Sequence, residues 1–161
     1  ADAPVALATA DSASSLPGIG AGSRIGPGGS PTGSAPTAAE RVARGTEVQW
    51  EAWSSQRVAQ ALEQGRPVLV DFTAAWCITC QANKRLVLDR DAVQAAFAAR
   101  QVVLLRADWT RRDAAISAEL ARFGRNGVPF YLYYSSAQQP PRILPELLTV
   151  DTVLAALDSP R

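Results

Sequence analysis

The segment Trp76-Cys77-Ile78-Thr79-Cys80 constrains this chain more than any other part of it. It contains both cysteines of the 161-residue sequence, three positions apart. An apolar run from Val68 to Phe72 precedes it, and a segment that can be helical follows, so the cysteines are predicted to lie at a strand-to-helix junction. Two sulfurs at this spacing can close and open a small ring, which favours thiol–disulfide exchange.

The amino-acid composition excludes several other kinds of chemistry. Histidine is absent, which removes Ser-His-Asp catalysis, Cys-His catalysis and histidine-based metal sites. Two cysteines cannot complete a four-ligand zinc site within one chain, and we expect neither a metal nor a cofactor beyond the cysteine pair itself. The formal net charge is +1 without a long basic run, so nucleic-acid binding is not expected. No apolar stretch approaches the roughly 20 residues that span a bilayer.

The sequence divides into two parts of different composition. Residues 1–45 are rich in Ala, Gly, Ser and Pro and are predicted to form a flexible linker, either a tether or an inert remnant of a domain boundary. Residues 46–161 are predicted to form one folded domain. Methionine is absent and the first residue is Ala1, so we expect a processed or excised part of a longer product.

Within the domain, apolar runs and helical spacing alternate, which predicts an α/β fold with a central mixed sheet flanked by helices. The predicted strands are Val68 to Thr73, Val102 to Ala107, Phe130 to Tyr134 and a short edge strand, Arg142 to Leu144. The predicted helices are Ser55 to about Gln64, Cys80 to about Leu88, Asp91 to Ala99, a helix that ends near Phe123, and one that ends near Leu157. In the second helix, Leu86 and Val87 are predicted to face inward. The fourth helix is predicted to open with a capping box of Thr110 and Asp113, and the fifth to be capped by Thr149 or Asp151.

The cysteine pair is better suited to exchange than to stabilisation. A disulfide that closes so small a loop contributes only about 2 kcal/mol in the chain-entropy model. At the N-terminus of a helix, backbone N–H groups and the helix dipole would stabilise a Cys77 thiolate. Cys77 would then attack a partner disulfide, and Cys80 would resolve the mixed disulfide. A passive disulfide or half of an intermolecular metal site are the alternatives.

Two further positions are candidates for the same site. Asp71 lies inside the apolar strand, where a buried carboxyl would have a raised pKa and could exchange a proton with Cys80. The alternative is a strand-edge carboxylate that reaches solvent. Pro129 follows Val128 directly before a strand, and a cis bond there would put the Val128 backbone beside the sulfurs. An ordinary trans proline at a strand start is the alternative.

These residues resemble the thioredoxin superfamily over about residues 48 to 160. The resemblance depends on Val70-Asp71-Phe72, the Trp76–Cys80 segment and Val128-Pro129 together. The segments from Asp71 to Cys77, from Leu105 to Thr110 and from Gly127 to Pro129 look more specifically like the C-terminal periplasmic domain of DsbD-type thiol:disulfide interchange proteins, including their copper-tolerance-associated relatives.

The resemblance implies a thioredoxin fold and a set of roles. Cys77 is implied to be the nucleophile, Cys80 the resolving thiol and Asp71 the proton-managing acid, and Pro129 to be cis. Substrate binding is assigned to Trp76, Val128 and Pro129. Many such domains carry a second acid seven residues after the first cysteine, but here that position is Lys84, which should favour the thiolate.

The resemblance also implies partners and a location. In that family a membrane-embedded domain carries electrons from cytoplasmic thioredoxin, and the C-terminal domain passes them to periplasmic thiol–disulfide proteins. We therefore predict a periplasmic, monomeric reductase domain that residues 1–45 tether to the inner membrane. Two rival hypotheses keep the fold: a periplasmic thiol oxidase or isomerase, and a binding module whose dithiol is inert.

Overall fold

The computed structural model describes residues 48–160, so the predicted linker of residues 1–45 and the predicted domain start at Thr46 lie outside the described residues. The strands described are β1 Trp50–Ala52, β2 Val68–Thr73, β3 Val103–Asp108, β4 Phe130–Tyr134 and β5 Arg142–Leu144. The helices described are α1 Ser55–Glu63, α2 Ile78–Asn83, α3 Asp91–Ala99, α4 Ala114–Arg122 and α5 Val150–Leu157. A π-helical turn, Lys84–Leu88, continues α2.

The strands form one sheet in the order β1-β3-β2-β4-β5. The first three are parallel to one another, whereas β4 is antiparallel to β2 and β5 is antiparallel to β4. The predicted central mixed sheet flanked by helices is therefore confirmed. Strand β2, which leads to the cysteines, lies in the middle of the sheet and is buried over almost its whole length.

The sheet separates two apolar clusters, because successive strand side chains point to opposite faces. On β2, Val68, Val70 and Phe72 belong to the cluster that includes Leu120 of α4. Leu69 belongs to the other cluster, with α3 and α5. Asp71 alternates with these residues and is paired in register with Tyr131 of that second cluster. Strand geometry thus turns the Asp71 carboxyl to the face covered by α3 and α5.

Several predicted helix ends are confirmed. Gly65 and Gly124 follow α1 and α4 with φ values of 70° and 67°, the left-handed backbone that glycine adopts readily. Of the two predicted caps of α5, Thr149 is the one observed, because its hydroxyl accepts the Thr152 N–H at 3.1 Å.

The sequence did not predict one strand, and two of its predictions are wrong. Strand β1 was not predicted, since only three residues pair along the sheet edge and they show little apolar alternation. The capping box is absent: Asp113 caps α4 by accepting the Ile116 N–H at 3.0 Å, and Thr110 has other partners. Leu86 is exposed rather than inward. The π-helical bond from the Asp89 N–H to the Lys84 carbonyl, 2.8 Å, changes which side chains face the sheet.

Candidate functional site

Cys77 and Cys80 are joined by a disulfide at the start of α2, with their Cα atoms 5.2 Å apart. Cys77 is the N-cap of the helix, and its Sγ accepts the Cys80 N–H at 3.2 Å. The helix was predicted to begin near Cys80 and begins at Ile78 instead. This earlier start gives Cys77 the capping position, where free N–H groups favour a negative sulfur. Both cysteines are buried, with 7% of the surface of Cys77 and 3% of that of Cys80 exposed.

The loop between β3 and α4 holds the segment that precedes Cys77. The Thr110 hydroxyl accepts the Ala75 N–H at 2.9 Å, and the Thr110 carbonyl accepts the Trp76 indole N–H at 3.2 Å. Asp108 in turn accepts hydrogen bonds from the backbone N–H and hydroxyl of Thr110, which lower the pKa of Asp108. Thr110 is therefore a supporting residue that the sequence analysis missed, because it assigned Thr110 to a local cap.

Trp76 is half-exposed beside the disulfide and contacts a second tryptophan. Its ring centroid lies 6.2 Å from that of Trp109, and the guanidinium of Arg112 lies 5.7 Å from the Trp76 ring and 4.8 Å from the Trp109 ring. Trp109 is buried, and its indole donates to the Ser117 hydroxyl at 2.8 Å. The structure thus places Trp109 behind Trp76 as packing, and leaves Trp76 at the surface.

Val128, in the segment just before β4, contacts the region of the cysteine pair. Its side chain packs against the small cluster formed by Ala74, Cys77 and Cys80. The Val128–Pro129 peptide bond is cis, as the resemblance implies. The chain therefore brings Trp76, Val128 and Pro129, which are distant in sequence, to the surroundings of the disulfide.

Asp71 is buried within β2, with 3% of its surface exposed. Its Oδ2 lies 3.6 Å from the Nε of Arg106 on the neighbouring strand. Burial raises the pKa of Asp71 from 3.8 to about 6, and the positive charges of Arg106 and Lys84 limit that rise. A raised pKa in this range suits a group that exchanges protons near neutral pH. Arg106 was missed as a partner of Asp71.

An open cleft of about 210 Å³ reaches Asp71 from the surface. Its lining includes Asp71, Gln81, Lys84, Arg106 and Asp108. Lys84 forms an ion pair with Asp89 at 3.0 Å, with both side chains 41% exposed. The position seven residues after Cys77 therefore adds a cation to the lining of this cleft.

Asn83 is a buried polar residue next to this region that the sequence analysis also missed. Its Nδ2 donates to the Tyr131 hydroxyl at 2.9 Å and to the Glu146 carbonyl at 2.7 Å. Its Oδ1 accepts the Leu148 N–H at 3.1 Å. Burial and the nearby charge of Asp71 raise the pKa of Tyr131. The asparagine thus ties the helix that carries the cysteines to β4 and to the segment before α5.

The described residues contain no group of three or more Cys, Asp, Glu or His side chains placed to hold a metal ion. Within residues 48–160, no helix is both long enough and apolar enough to cross a membrane.

Residues 49–136 match a family model described as thioredoxin-like. The chain belongs to the thioredoxin-like family. This thioredoxin-like domain also resembles solved structures of the same fold. The thioredoxin from Thermus thermophilus aligns with a TM-score of 0.56 and 21% identity, covering 68% of this chain and 84% of that chain. The reduced C-terminal domain of DsbD from Neisseria meningitidis aligns with a TM-score of 0.54 and 22% identity, covering 68% and 97%. The predicted thioredoxin fold is thus confirmed.

Curated relatives of the thioredoxin-like domain carry the name thiol:disulfide interchange protein DsbD. The protein from Ralstonia nicotianae is 38% identical over 104 residues, which are 63% of this chain and 17% of that protein. DsbD 1 from Pseudomonas aeruginosa is 38% identical over 78 residues, which are 48% of this chain and 13% of that protein. The chain therefore spans less than a fifth of the length of these relatives, and the resemblance to DsbD is confirmed for that part.

Proposed function

We propose that this domain is a thiol–disulfide oxidoreductase that reduces periplasmic protein disulfides through Cys77 and Cys80. The observation that carries the proposal is the disulfide at the N-terminus of α2, in a thioredoxin fold whose sequence is similar to DsbD. The N-cap position of Cys77 and the N–H bond that its sulfur accepts from Cys80 support the nucleophilic role. The more covered Cys80, one helical turn on, is the resolving thiol.

The proposed cycle transfers two electrons by two successive exchanges. The Cys77 thiolate attacks one sulfur of the substrate disulfide, and the other substrate sulfur leaves as a thiolate that takes up a proton. Cys80 then attacks the Cys77 sulfur of the mixed disulfide, which releases the second substrate sulfur and forms the Cys77–Cys80 bond. The substrate is reduced to a dithiol while the domain is oxidised. The cycle uses the cysteine pair alone, without a cofactor or metal.

Asp71 is proposed to accept the Cys80 proton before the second attack. Its burial and its pKa of about 6 support this role, because such a carboxyl can both take up and release a proton near neutral pH. The cleft lined by Asp71 and Lys84 provides a polar route between that carboxyl and solvent. Trp76, Val128 and Pro129 are proposed to contact the substrate, because the exposed Trp76 directly precedes Cys77, and Val128, the neighbour of Pro129, packs against the cysteines.

Each turnover leaves the domain oxidised, so it needs an electron donor. The similarity to DsbD supports a membrane-embedded donor domain and periplasmic thiol–disulfide proteins as acceptors. In this proposal, residues 46–161 form a monomeric periplasmic domain, and residues 1–45 tether it to the inner membrane.

Trapping with Cys80→Ala tests the function directly. Without the resolving thiol, the mixed disulfide on Cys77 should persist, and non-reducing electrophoresis with mass spectrometry should identify a periplasmic acceptor. Cys77→Ser is the matched control and should trap nothing. A Cys77→Ser protein that still reduces partner disulfides would contradict the mechanism. A dithiol that does not react in the unmodified protein would favour the alternative hypothesis of an inert binding module.

The direction of electron flow needs a second measurement. Thioredoxin has a reduction potential of about −270 mV, and a strongly oxidising periplasmic dithiol protein has one of about −120 mV. A reductase should have a potential closer to the thioredoxin value. Equilibration with glutathione redox buffers gives the potential of this domain. A clearly oxidising potential would favour the thiol oxidase or isomerase instead.

A further inference from the structure

The guanidinium of Arg112 is held at the edge of the disulfide site by two aromatic rings. It lies 4.8 Å from the ring centroid of Trp109 and 5.7 Å from that of Trp76, the residue directly before Cys77. Both distances are within the range of attraction between a cation and an aromatic face. Arg112 itself is exposed, so its charge lies beside the ring of Trp76 and stays accessible to a partner.

The backbone of Arg112 has a conformation that arginine seldom adopts. Its φ is 54°, in the left-handed region that Gly, Asn and Asp tolerate better. The turn is closed by a hydrogen bond from the Arg112 N–H to the Trp109 carbonyl at 2.9 Å. Arginine is therefore not the residue that this turn favours. The ring contacts of the Arg112 side chain are with Trp76 and Trp109, at the edge of the disulfide site.

No carboxylate neutralises Arg112 in the part of the chain that the structure describes. The ion pairs found there involve other arginines and Lys84. Asp108, the acid at the start of the same loop, is occupied by two hydrogen bonds from Thr110. The five N–H donors of the guanidinium are therefore available to an external acceptor, for which a carboxylate has the matching geometry.

The surface around Cys77 combines this charge with exposed apolar side chains. Trp76 is 52% exposed and Ile78 is 84% exposed, and they flank Cys77 on both sides. We propose that Arg112 determines specificity by binding an acidic side chain of a polypeptide substrate that lies close to the disulfide being reduced. This inference rests on the proposed reductase function and adds a substrate class to it: protein disulfides flanked by Asp or Glu.

Matched disulfide-bonded peptides test this inference. Two peptides of equal length differ only in one residue beside the half-cystine, Glu in one and Lys in the other. Stopped-flow fluorescence gives the second-order rate constant for reduction of each by the reduced domain. The unmodified domain should reduce the Glu peptide faster by about tenfold at low ionic strength, and the ratio should shrink with added salt.

Two variants separate Arg112 from the general charge of its loop. Arg112→Asn removes the charge but suits the left-handed backbone, and it should bring the ratio of the two rate constants close to one. Arg111→Asn removes the neighbouring exposed charge, which contacts neither ring, and should keep the ratio of the unmodified domain. An equal loss in both variants, or no preference in the unmodified domain, would overturn the inference. Reduction of a small neutral disulfide by the unmodified domain tests the proposed function separately.

Discussion

The carboxyl of Asp71 and the guanidinium of Arg106 occupy paired positions on the parallel strands β2 and β3, with Oδ2 and Nε 3.6 Å apart. The distance is longer than a hydrogen bond, and Asp71 Oδ1 and Arg106 Nη2 have no hydrogen-bond partner. Burial therefore outweighs the attraction of the arginine, and the pKa of Asp71 is raised rather than lowered. The protonation of Asp71 depends on the balance between these two effects.

Arg106→Gln should shift that balance further towards the neutral acid. Without the positive charge on β3, the pKa of Asp71 should rise above about 6, by roughly one pH unit. Carbon-detected NMR of the Asp71 carboxyl across a pH titration of the oxidised protein measures the change. Arg106 also lies 4.4 Å from the Trp50 ring centroid, so circular dichroism must first show that the variant is folded.

Two matched variants give the controls for Arg106. Arg106→Lys keeps the charge and should keep the pKa of Asp71 near its original value. Arg85→Gln removes an exposed charge from the π-helical turn outside the cleft and should leave the titration of Asp71 in place. If Arg106→Gln and Arg85→Gln titrate alike, Arg106 is not the charge that limits the rise.

The sequence predicted the parts of the site that depend on local spacing. The Cys77–Cys80 pair, the buried strand β2 and Asp71 within it are all encoded in one continuous stretch of about a dozen residues. The sequence also predicted the order of every element from α1 onward, because apolar runs and helical patterns alternate and several of them are bounded by Gly, Pro or a capping residue.

The partners of these residues could not be predicted in the same way. Arg106 lies next to Asp71 because of the register of β2 and β3, two strands that a helical crossover separates in sequence. The one signal for this contact in the sequence was that Arg106 is a charged residue inside the apolar strand Val103–Asp108. Asn83 contacts segments 48 to 65 positions away. The exposure of Leu86 follows from a π-helical turn, and no residue pattern in that helix distinguishes such a turn from an ordinary one.

The raised pKa of Asp71 predicts a dependence of stability on pH. The folded protein favours the neutral form of Asp71, and this preference stabilises the fold. The stabilisation is fully present below pH 3.8, the pKa of an ordinary Asp, and is lost as the pH rises through about 6. The loss is roughly 3 kcal/mol, from 1.36 kcal/mol for each pKa unit. Asp71→Asn removes the titrating group and should therefore gain stability relative to the unmodified protein between about pH 4 and about pH 7.

Urea unfolding of oxidised Asp71→Asn and of the oxidised unmodified protein, at about pH 4 and about pH 7, measures their difference in the free energy of unfolding. The informative quantity is the change of this stability difference with pH, because any effect of the substitution on packing that does not depend on pH cancels. Glu63→Gln, which neutralises an exposed carboxylate at the end of α1, should show no comparable trend. If the stability difference between Asp71→Asn and the unmodified protein does not change with pH, the pKa of Asp71 is not raised in the folded protein.

Asn83→Ala should destabilise the domain by about 3 kcal/mol, because it leaves the buried Leu148 N–H and the partly buried Glu146 carbonyl without their partner. Asn83→Asp should be at least as damaging near neutral pH, since it puts a carboxylate oxygen against the Glu146 carbonyl. Urea unfolding gives the free energies. Arg85→Ala, two residues further on and exposed, should change stability by less than about 0.5 kcal/mol.

Thr110→Val should loosen the segment before Cys77 while preserving the shape of the side chain. The Ala75 N–H loses its acceptor at 2.9 Å, whereas the Trp76 indole keeps the Thr110 carbonyl. A net loss of about 1 to 1.5 kcal/mol corresponds to roughly tenfold faster hydrogen exchange at the Ala75 amide. Hydrogen-exchange NMR of the oxidised protein measures that amide directly.

Thr79→Val is the matched control for Thr110→Val, because it makes the same chemical change within α2 and leaves the acceptor of the Ala75 amide in place. Exchange at Ala75 should therefore stay as in the unmodified protein. Unchanged exchange at Ala75 in Thr110→Val would mean that the turn closed by the Cys77 N–H and the Ala74 carbonyl, 3.1 Å, holds the segment by itself. Faster exchange confined to Ala75 and its neighbours would instead show that the β3–α4 loop holds the segment that leads into Cys77.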